Sequence, residues 1–478
     1  MKSTVALLLI FLLPAFLTAQ RKRTWQPRHL VFTHVSVVDV ANGHLLSNQT
    51  VVVKGKWITA VGPSGNIRIP RGSHVIEASG QYLMPGLWDA HVHLSYAGDC
   101  APSILVAHGV TSVRDLGGAL PDVRVWQRRI TAGEMIGPRI KVTGPNVESA
   151  RWLALATKLL ESTEELKHYH PFDSSSPRLS VGNPQQAREA VAALARLGVD
   201  VVKFRNLGGN DFRVLAAEAK RRGILLVGHS PGDISLAEAS DAGIASIEHG
   251  ETISNRLVGI NAQERTEQFA RLARNGTMIT PTLITDYRSK LSTAEEMRAA
   301  LSDTTGSLDP LNGYVSRSLR EMWQFAYDTR RFNGEQDWAA FFRRSAEDLR
   351  AAHRAGVQMM VGTDLGVILV YPGSSVHDEM ALMVKQIEMS PADVLRAATL
   401  NSARFFKMEG TLGTLEPGKL ADMVLLDANP LANISATRQI RGVVLGGRFL
   451  NRAVLDALLS KARVAIRAQA NCINQKEN

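Results

Sequence analysis

Cysteine is nearly absent: Cys100 and Cys472 are the only two in 478 residues. That excludes a disulfide-stapled scaffold and a zinc-finger spacing. The two lie far apart in sequence, so one free thiol each is expected. Aromatic residues make up only 6% of the chain, and no array interleaves them with basic residues. The formal charge is +10, but the cations are scattered apart from Arg21-Lys22-Arg23. A solvated basic surface follows, with no nucleic-acid partner. No internal repeat and no long disordered tract appear. The apolar fraction of 45% is ample for a large core, and the length allows about two or three domains.

Long apolar runs are lacking too. The N-terminal run, Val5 to Leu17, is too short to span a bilayer comfortably. It follows Lys2 and ends Leu17-Thr18-Ala19, the pattern of a signal peptide over residues 1–19. A secreted or periplasmic protein is expected. Arg21-Lys22-Arg23 places more positive charge after the run than before it, which opposes the usual orientation. The alternative is an uncleaved segment giving weak membrane association. No cysteine follows the run, so a lipid anchor is unsupported.

Residues 20–84 read as short strands and turns: Val31 to Val38, Thr50 to Val53 and Trp57 to Val61, with Asn42-Gly43 as a turn. Asp422 to Asp427 and Ile440 to Leu445 are strands again. Both terminal regions, 20–84 and 408–478, can therefore build one β-sandwich, with an amphipathic helix near 453–470. Between them, over 85–407, strands alternate with helices as an α/β barrel requires. Eight strand candidates lie near 87–94, 110–115, 139–144, 200–205, 225–230, 245–249, 277–283 and 358–365. The helix before the fourth is well marked: Asn183 caps it, Pro184 fits its first turn and Gly198 closes it. The fold expected is a (β/α)8 TIM barrel. Two long connections, 145–180 and 284–350, follow strands and belong on the face where such barrels keep their chemistry.

Five sites on that face carry metal-ligand residues. His91-Val92-His93 puts two imidazoles on one face of a strand, with Val92 turned toward the helices. Asp89 shares the inward face and is a candidate supporting residue. Lys203 interrupts an apolar strand, where a lysine is costly unless paired. The alternatives are a lysine reaching solvent and a lysine carboxylated by carbon dioxide, which could bridge two cations. His229 and His249 end successive strands. Asp364 follows Val361-Gly362-Thr363, and a buried carboxylate there needs a cation or a donor. Arg205 shares the face of Lys203 and could meet an anionic substrate end; a surface arginine is the plainer reading. Tyr287 is a weaker candidate. His168 and His170 read as exposed, and His108 and His353 as structural.

This set resembles the amidohydrolase superfamily over about residues 30–455. Pro391 to Ser402 and Glu416 to Asp427 resemble its closing helix and returning strand. Ser246-Ile247-Glu248-His249-Gly250 and His377-Asp378-Glu379 are similar to the imidazolonepropionase-related, Xaa-Pro dipeptidase-like group. The resemblance implies two divalent ions, usually zinc. His91, His93 and Asp364 would hold one, and His229 and His249 the other, with carboxylated Lys203 between them. It implies cleavage of C–N bonds in peptide-like or cyclic amides by a metal-bridging hydroxide, with Asp364 as proton shuttle and His377 as the next candidate. The substrate would be a small or short peptide-like molecule and the assembly a homo-oligomer. The loop Thr143 to Glu148 lacks the histidine that dipeptide-cleaving members often carry. Lactonase or phosphoesterase chemistry on the same site, single-metal deamination and non-catalytic binding are the alternatives. Lys203 argues against deamination. N-terminal sequencing of the mature protein should begin near Gln20; full-length chain in the membrane fraction would instead establish the anchor.

Overall fold

The computed structural model describes residues 29–161, 177–330 and 337–474. The expected signal segment, Arg21-Lys22-Arg23, His168 and His170 and the side chain of Cys472 lie outside the described residues. Among those described, no helix is long and apolar enough to cross a membrane. Cys100 is a free, partly buried thiol.

Both ends of the chain build one β unit. Strands β1 (His29–Asp39), β2 (His44–Lys54) and β3 (Trp57–Pro63) form an antiparallel meander. β4 (His74–Glu77) and β5 (Tyr82–Pro85) pair parallel to β1. The returning chain joins at β5. Its register with the C-terminal segment Met423–Leu426 is antiparallel, from Met423 opposite Pro85 to Leu426 opposite Tyr82. Alternate residues fill one side: Leu30, Phe32, Val51, Val53, Leu83, Met423 and Leu425 pack together, all buried. A period of two in β-branched and aliphatic residues produces this face.

The central region is a mixed α/β unit with parallel sheets. β6 (Leu87–Val92), β7 (Val110–Asp115) and β8 (Arg139–Val142) pair in parallel. β9 (Asn146–Ser149), β10 (Arg178–Val181), β11 (Val201–Arg205), β12 (Leu225–Gly228), β13 (Ile244–Glu248) and β14 (Met278–Thr280) make a second parallel sheet in the order β10-β9-β11-β12-β13-β14. Backbone bonds link the two sheets. Asp200 N donates to Val142 O (2.8 Å) between β11 and β8. On the other side, Ile279 N donates to Gln358 O (3.0 Å) and Ala90 N to Val361 O (2.8 Å). β15 (Met423–Leu426), β16 (Ile440–Leu445) and β17 (Arg448–Asn451) complete the β unit, and the helix Arg452–Asn474 ends the described chain.

Three strand expectations need correction. The stretch 139–144 is not one strand: Gly144, at φ +70°, separates β8 from β9. The stretch 277–283 ends as a strand at Thr280, because Thr282 turns to φ 46° and starts the helix Leu283–Leu291. The segment 358–365 keeps only isolated bridges, Met359 to Ile279 and Leu365 to Val92. Asp364 at φ 56° breaks the ladder there. The helix at Asn183 is as expected: its side chain accepts from Gln186 N (3.0 Å), with Pro184 at the first turn. The 284–350 connection carries the helices Ala294–Ser302 and Arg317–Thr329 and most of the helix Trp338–Arg354.

Ala90, Leu116, Val201, Val227, Met278, Met360 and Phe405 form a buried cluster contributed by strands of both sheets. It lies at the level below the strand ends that carry the histidines. Gly362 is required above it. A Cβ there would lie 2.8 Å from His91 Cβ and 2.6 Å from Thr280 Cγ2.

His377 belongs to this framework and not to the site, which corrects its candidacy as a proton shuttle. It sits in the helix Ser374–Ile387. Its Nδ1 meets Thr437 Oγ1 (2.9 Å), and its Nε2 meets the His108 carbonyl (3.1 Å). Burial holds this imidazole well below its ordinary range, so it is neutral in the fold. The unfolded ring protonates near pH 6.5. The unfolded state therefore binds more protons below that pH, and stability falls as pH drops through it. We expect His377→Asn to flatten the loss of urea stability between pH 7 and pH 5 by roughly 1 kcal/mol per pH unit. An unchanged slope would mean the ring is charged in the fold.

Candidate metal centre

His91 is the last but one residue of β6 and His93 follows the strand, so both sit at the strand's C-terminal end. Their hydrogen bonds decide which ring nitrogens remain available. His91 Nδ1 lies 2.9 Å from Glu248 Oε2. Glu248 is fully buried. Burial pushes its carboxyl up, but the Arg114 guanidinium, the His91 hydrogen bond and the neighbouring His91 and Lys203 charges together outweigh that and hold it below the usual carboxylate range. Arg114 Nη2 donates to both carboxylate oxygens at 2.8 Å. An ionised carboxylate only accepts, so His91 Nδ1 carries the hydrogen. Burial pulls the His91 imidazole down to about 4, so its Nε2 bears a lone pair. His93 Nδ1 lies 2.8 Å from the Gly117 carbonyl. A carbonyl also only accepts, so the Nε2 of the neutral ring is again the lone-pair nitrogen.

Both Nε2 atoms point at Asp364. His91 Nε2 is 3.3 Å and His93 Nε2 3.0 Å from Asp364 Oδ1. With both rings in the neutral form that binds a metal, two lone pairs and a carboxylate oxygen converge with no hydrogen between them. Such an arrangement is repulsive unless a cation occupies its centre. The ligand atoms of His91, His93 and Asp364 lie within 4.8 Å of one another, all on buried or partly buried residues. This donor set, two imidazoles and one carboxylate, fits a divalent ion.

The other predicted residues surround this cluster. His249 packs against His91 with ring centroids 4.8 Å apart and against His229 at 4.9 Å. Its Nδ1 meets Thr282 Oγ1 at 2.8 Å. Burial first, with the Lys203 charge second, keeps the His229 imidazole well below its ordinary range, and burial does the same for His249. Both are therefore neutral, the form that binds metals. Lys203 is 1% exposed, and its Nζ has no hydrogen-bond partner among the described residues. Burial draws its amine down to about 7. An orphaned amine buried beside the His91, His93 and Asp364 cluster, with its pKa drawn down, is suited to carboxylation, because the neutral amine is the form that attacks carbon dioxide.

The backbone is strained where these side chains are aimed. His249, Thr282 and Asp364 have φ of 68°, 46° and 56°. None is glycine, and each such residue costs on the order of 1–3 kcal/mol. Asp89 explains how Asp364 is held. It accepts from Thr363 N (2.9 Å) and from Thr363 Oγ1 (2.6 Å). Glu379 similarly accepts from Leu283 N (3.0 Å) and Ile284 N (2.7 Å), fixing the turn that carries Thr282.

Residues 82–450 match the amidohydrolase family. The chain belongs to that family. It is a hydrolase of carbon–nitrogen bonds. Curated relatives of this amidohydrolase include the ochratoxinase of Aspergillus niger, 23% identical over 84% of this chain and 82% of the relative. The imidazolonepropionase of Alkaliphilus metalliredigens is 25% identical over 82% and 86%. Among solved structures, a bottromycin amidohydrolase matches with a TM-score of 0.68 at 24% identity, covering 92% of this chain and 91% of that one. A Xaa-Pro dipeptidase with bound methionine matches at 0.65 and 20%, covering 88% and 100%. These likenesses speak for the fold.

Arg114, Thr282 and the Gly117 carbonyl were not read from the sequence. Glu248 and Glu379 were noted only as parts of family-like segments. The available signal was a charged residue inside an apolar strand, as at Val113-Arg114 and Ile247-Glu248. Tyr287 is 41% exposed and packs on Phe342, so it is not part of this cluster. In the amidohydrolase, Glu248→Gln removes the charge that fixes His91. Competition with a chelator should show metal affinity lowered about 10–100-fold with the fold intact. Unchanged affinity would mean that His91 is oriented without Glu248.

Proposed function

We propose that this chain is an exported metal-dependent amidohydrolase whose residues 85–407 form a (β/α)8 barrel around two divalent ions, zinc being the best match to the donors. The convergence of His91 Nε2 and His93 Nε2 on Asp364 is the observation that carries the reading. The nine strands of the two parallel sheets and the bonds that join those sheets support the barrel. His91, His93 and Asp364 would hold one ion, and His229 and His249 the second, with carboxylated Lys203 shared between them. When bound, the ions would supply Lewis acidity toward a water and an amide carbonyl.

The chain's own residues do the rest. Asp364 accepts the proton of the attacking water and returns it to the departing nitrogen, since an amide nitrogen leaves poorly without one. The buried His249 and His91 rings and the Glu248–Arg114 pair keep the donors fixed while this happens. Arg205 supports a substrate that carries a carboxylate near the scissile amide. It lies two residues past Lys203 on the same strand face, and its Nε is buried without a hydrogen-bond partner among the described residues. Glu148 Oε2, its nearest carboxylate oxygen, is 3.9 Å away.

The deciding experiment pairs N-acyl amino acids and dipeptides with their C-terminal amides, in the wild type and in Asp364→Asn. The wild type should bind two ions per chain by elemental analysis, and should cleave the free acids. In Asp364→Asn most metal should remain while turnover falls about a hundredfold or more. Near-normal amide hydrolysis by the metal-loaded variant would place the proton shuttle elsewhere. Cleavage of lactones alone would move the reaction to another bond.

A further inference from the structure

A second concavity lies far from the histidines, at the opposite ends of the strands. It is a cavity of about 1070 Å³ between the helix Leu120–Thr131, the start of β8 and the β16–β17 hairpin. Six cations line it: Lys56, Arg124, Arg128, Arg139, Lys141 and Arg448. No acidic residue lines it. They come from four separate stretches of the chain, so the concentration of charge is made by the fold.

Few of these charges are neutralised. Arg139 donates to Asp422 (2.7 Å), and Lys141 to Asp200 (2.8 Å). Among the described residues Arg124 bonds only neutral groups, Gln127 Oε1 at 2.8 Å and the Leu197 and Gly198 carbonyls. Lys56, Arg128 and Arg448 are exposed, and no ion pair engages them among the described residues. Four of the six cations thus have no carboxylate partner among the described residues. A concave wall of one sign focuses potential and draws anions.

The floor is apolar. Ile130, Met135, Met408 and Leu445 line it and are partly exposed. No aromatic residue does. Binding to single-stranded nucleic acid ordinarily uses aromatic rings for base stacking, so the lining does not suit bases. Flexible aliphatic and thioether side chains suit an alkyl chain. The volume is at the upper end of ordinary small-molecule sites, and a concave pocket suits a single molecule better than a flat bilayer surface.

We propose that this groove binds a soluble single-chain amphiphile with an anionic head, phosphate or carboxylate, its chain on the floor and its head among Arg124, Arg128 and Arg448. The inference is independent of the hydrolytic site.

Calorimetry on the full chain tests it with dodecyl phosphate, dodecanoate and dodecyl maltoside, each below its micelle concentration, and with phosphatidylglycerol vesicles. Dodecyl phosphate should bind saturably at one per chain and weaken as salt rises. The maltoside should bind at least tenfold more weakly. The double variant Arg128→Glu with Arg448→Glu should lose at least tenfold in affinity for the phosphate, with its melting temperature and hydrolytic activity retained. The difference between dodecyl phosphate and dodecanoate identifies the preferred head. Equal binding of the maltoside, unchanged binding in the double variant, or binding to vesicles alone would overturn the proposal. If the double variant does not fold, Arg128→Ala with Arg448→Ala should show a smaller loss in the same direction.

Discussion

The Glu248–Arg114 pair is the constraint on which the site depends. It lies wholly inside the protein, and a buried ion pair of this kind gives little stability for the charge it buries. Its use is directional. Arg114 keeps Glu248 ionised, Glu248 keeps the hydrogen on His91 Nδ1, and the His91 lone pair is then aimed at Asp364. The Gly117 carbonyl does the same for His93. The donors of the candidate metal centre are thereby oriented by tautomer choice two bonds away from the donor atoms themselves.

The fold makes this possible by bringing distant parts of the chain together. Arg114 leaves β7 and Glu248 ends β13, 134 residues apart. Strand ends converge because parallel strands alternate with helices, which puts every strand's C-terminal end on one side. The positive φ values at His249, Thr282 and Asp364 turn those ends inward. The strain is sustained by Asp89 and Glu379, whose carboxylates tie down the adjoining backbone.

Much of this was legible in the sequence. The alternation of His91, Val92 and His93 gave their common face, and the structure brings His91, His93 and Asp364 together. The capped helix at Asn183 and the pairing of both chain ends were legible from local turn and cap residues. Strand limits were less so. Gly144, Thr282 and Asp364 interrupt apolar runs through backbone conformations that composition does not reveal. His377 looked like a site residue because it lies in a polar His-Asp-Glu triplet; its partners, Thr437 and the His108 carbonyl, are 60 and 269 residues away. Arg114 and Glu248 were hidden for the same reason, since the meaning of each is set by the other.

The central claim is that the donors are arranged for two cations bridged through Lys203, whose amine is buried and without a hydrogen-bond partner among the described residues. Carbon-13 NMR of protein loaded with zinc and labelled bicarbonate tests it most directly. The account predicts one protein-bound carbamate carbon per chain, absent in Lys203→Ala. Fully metal-loaded protein with an unmodified Lys203 amine would contradict it.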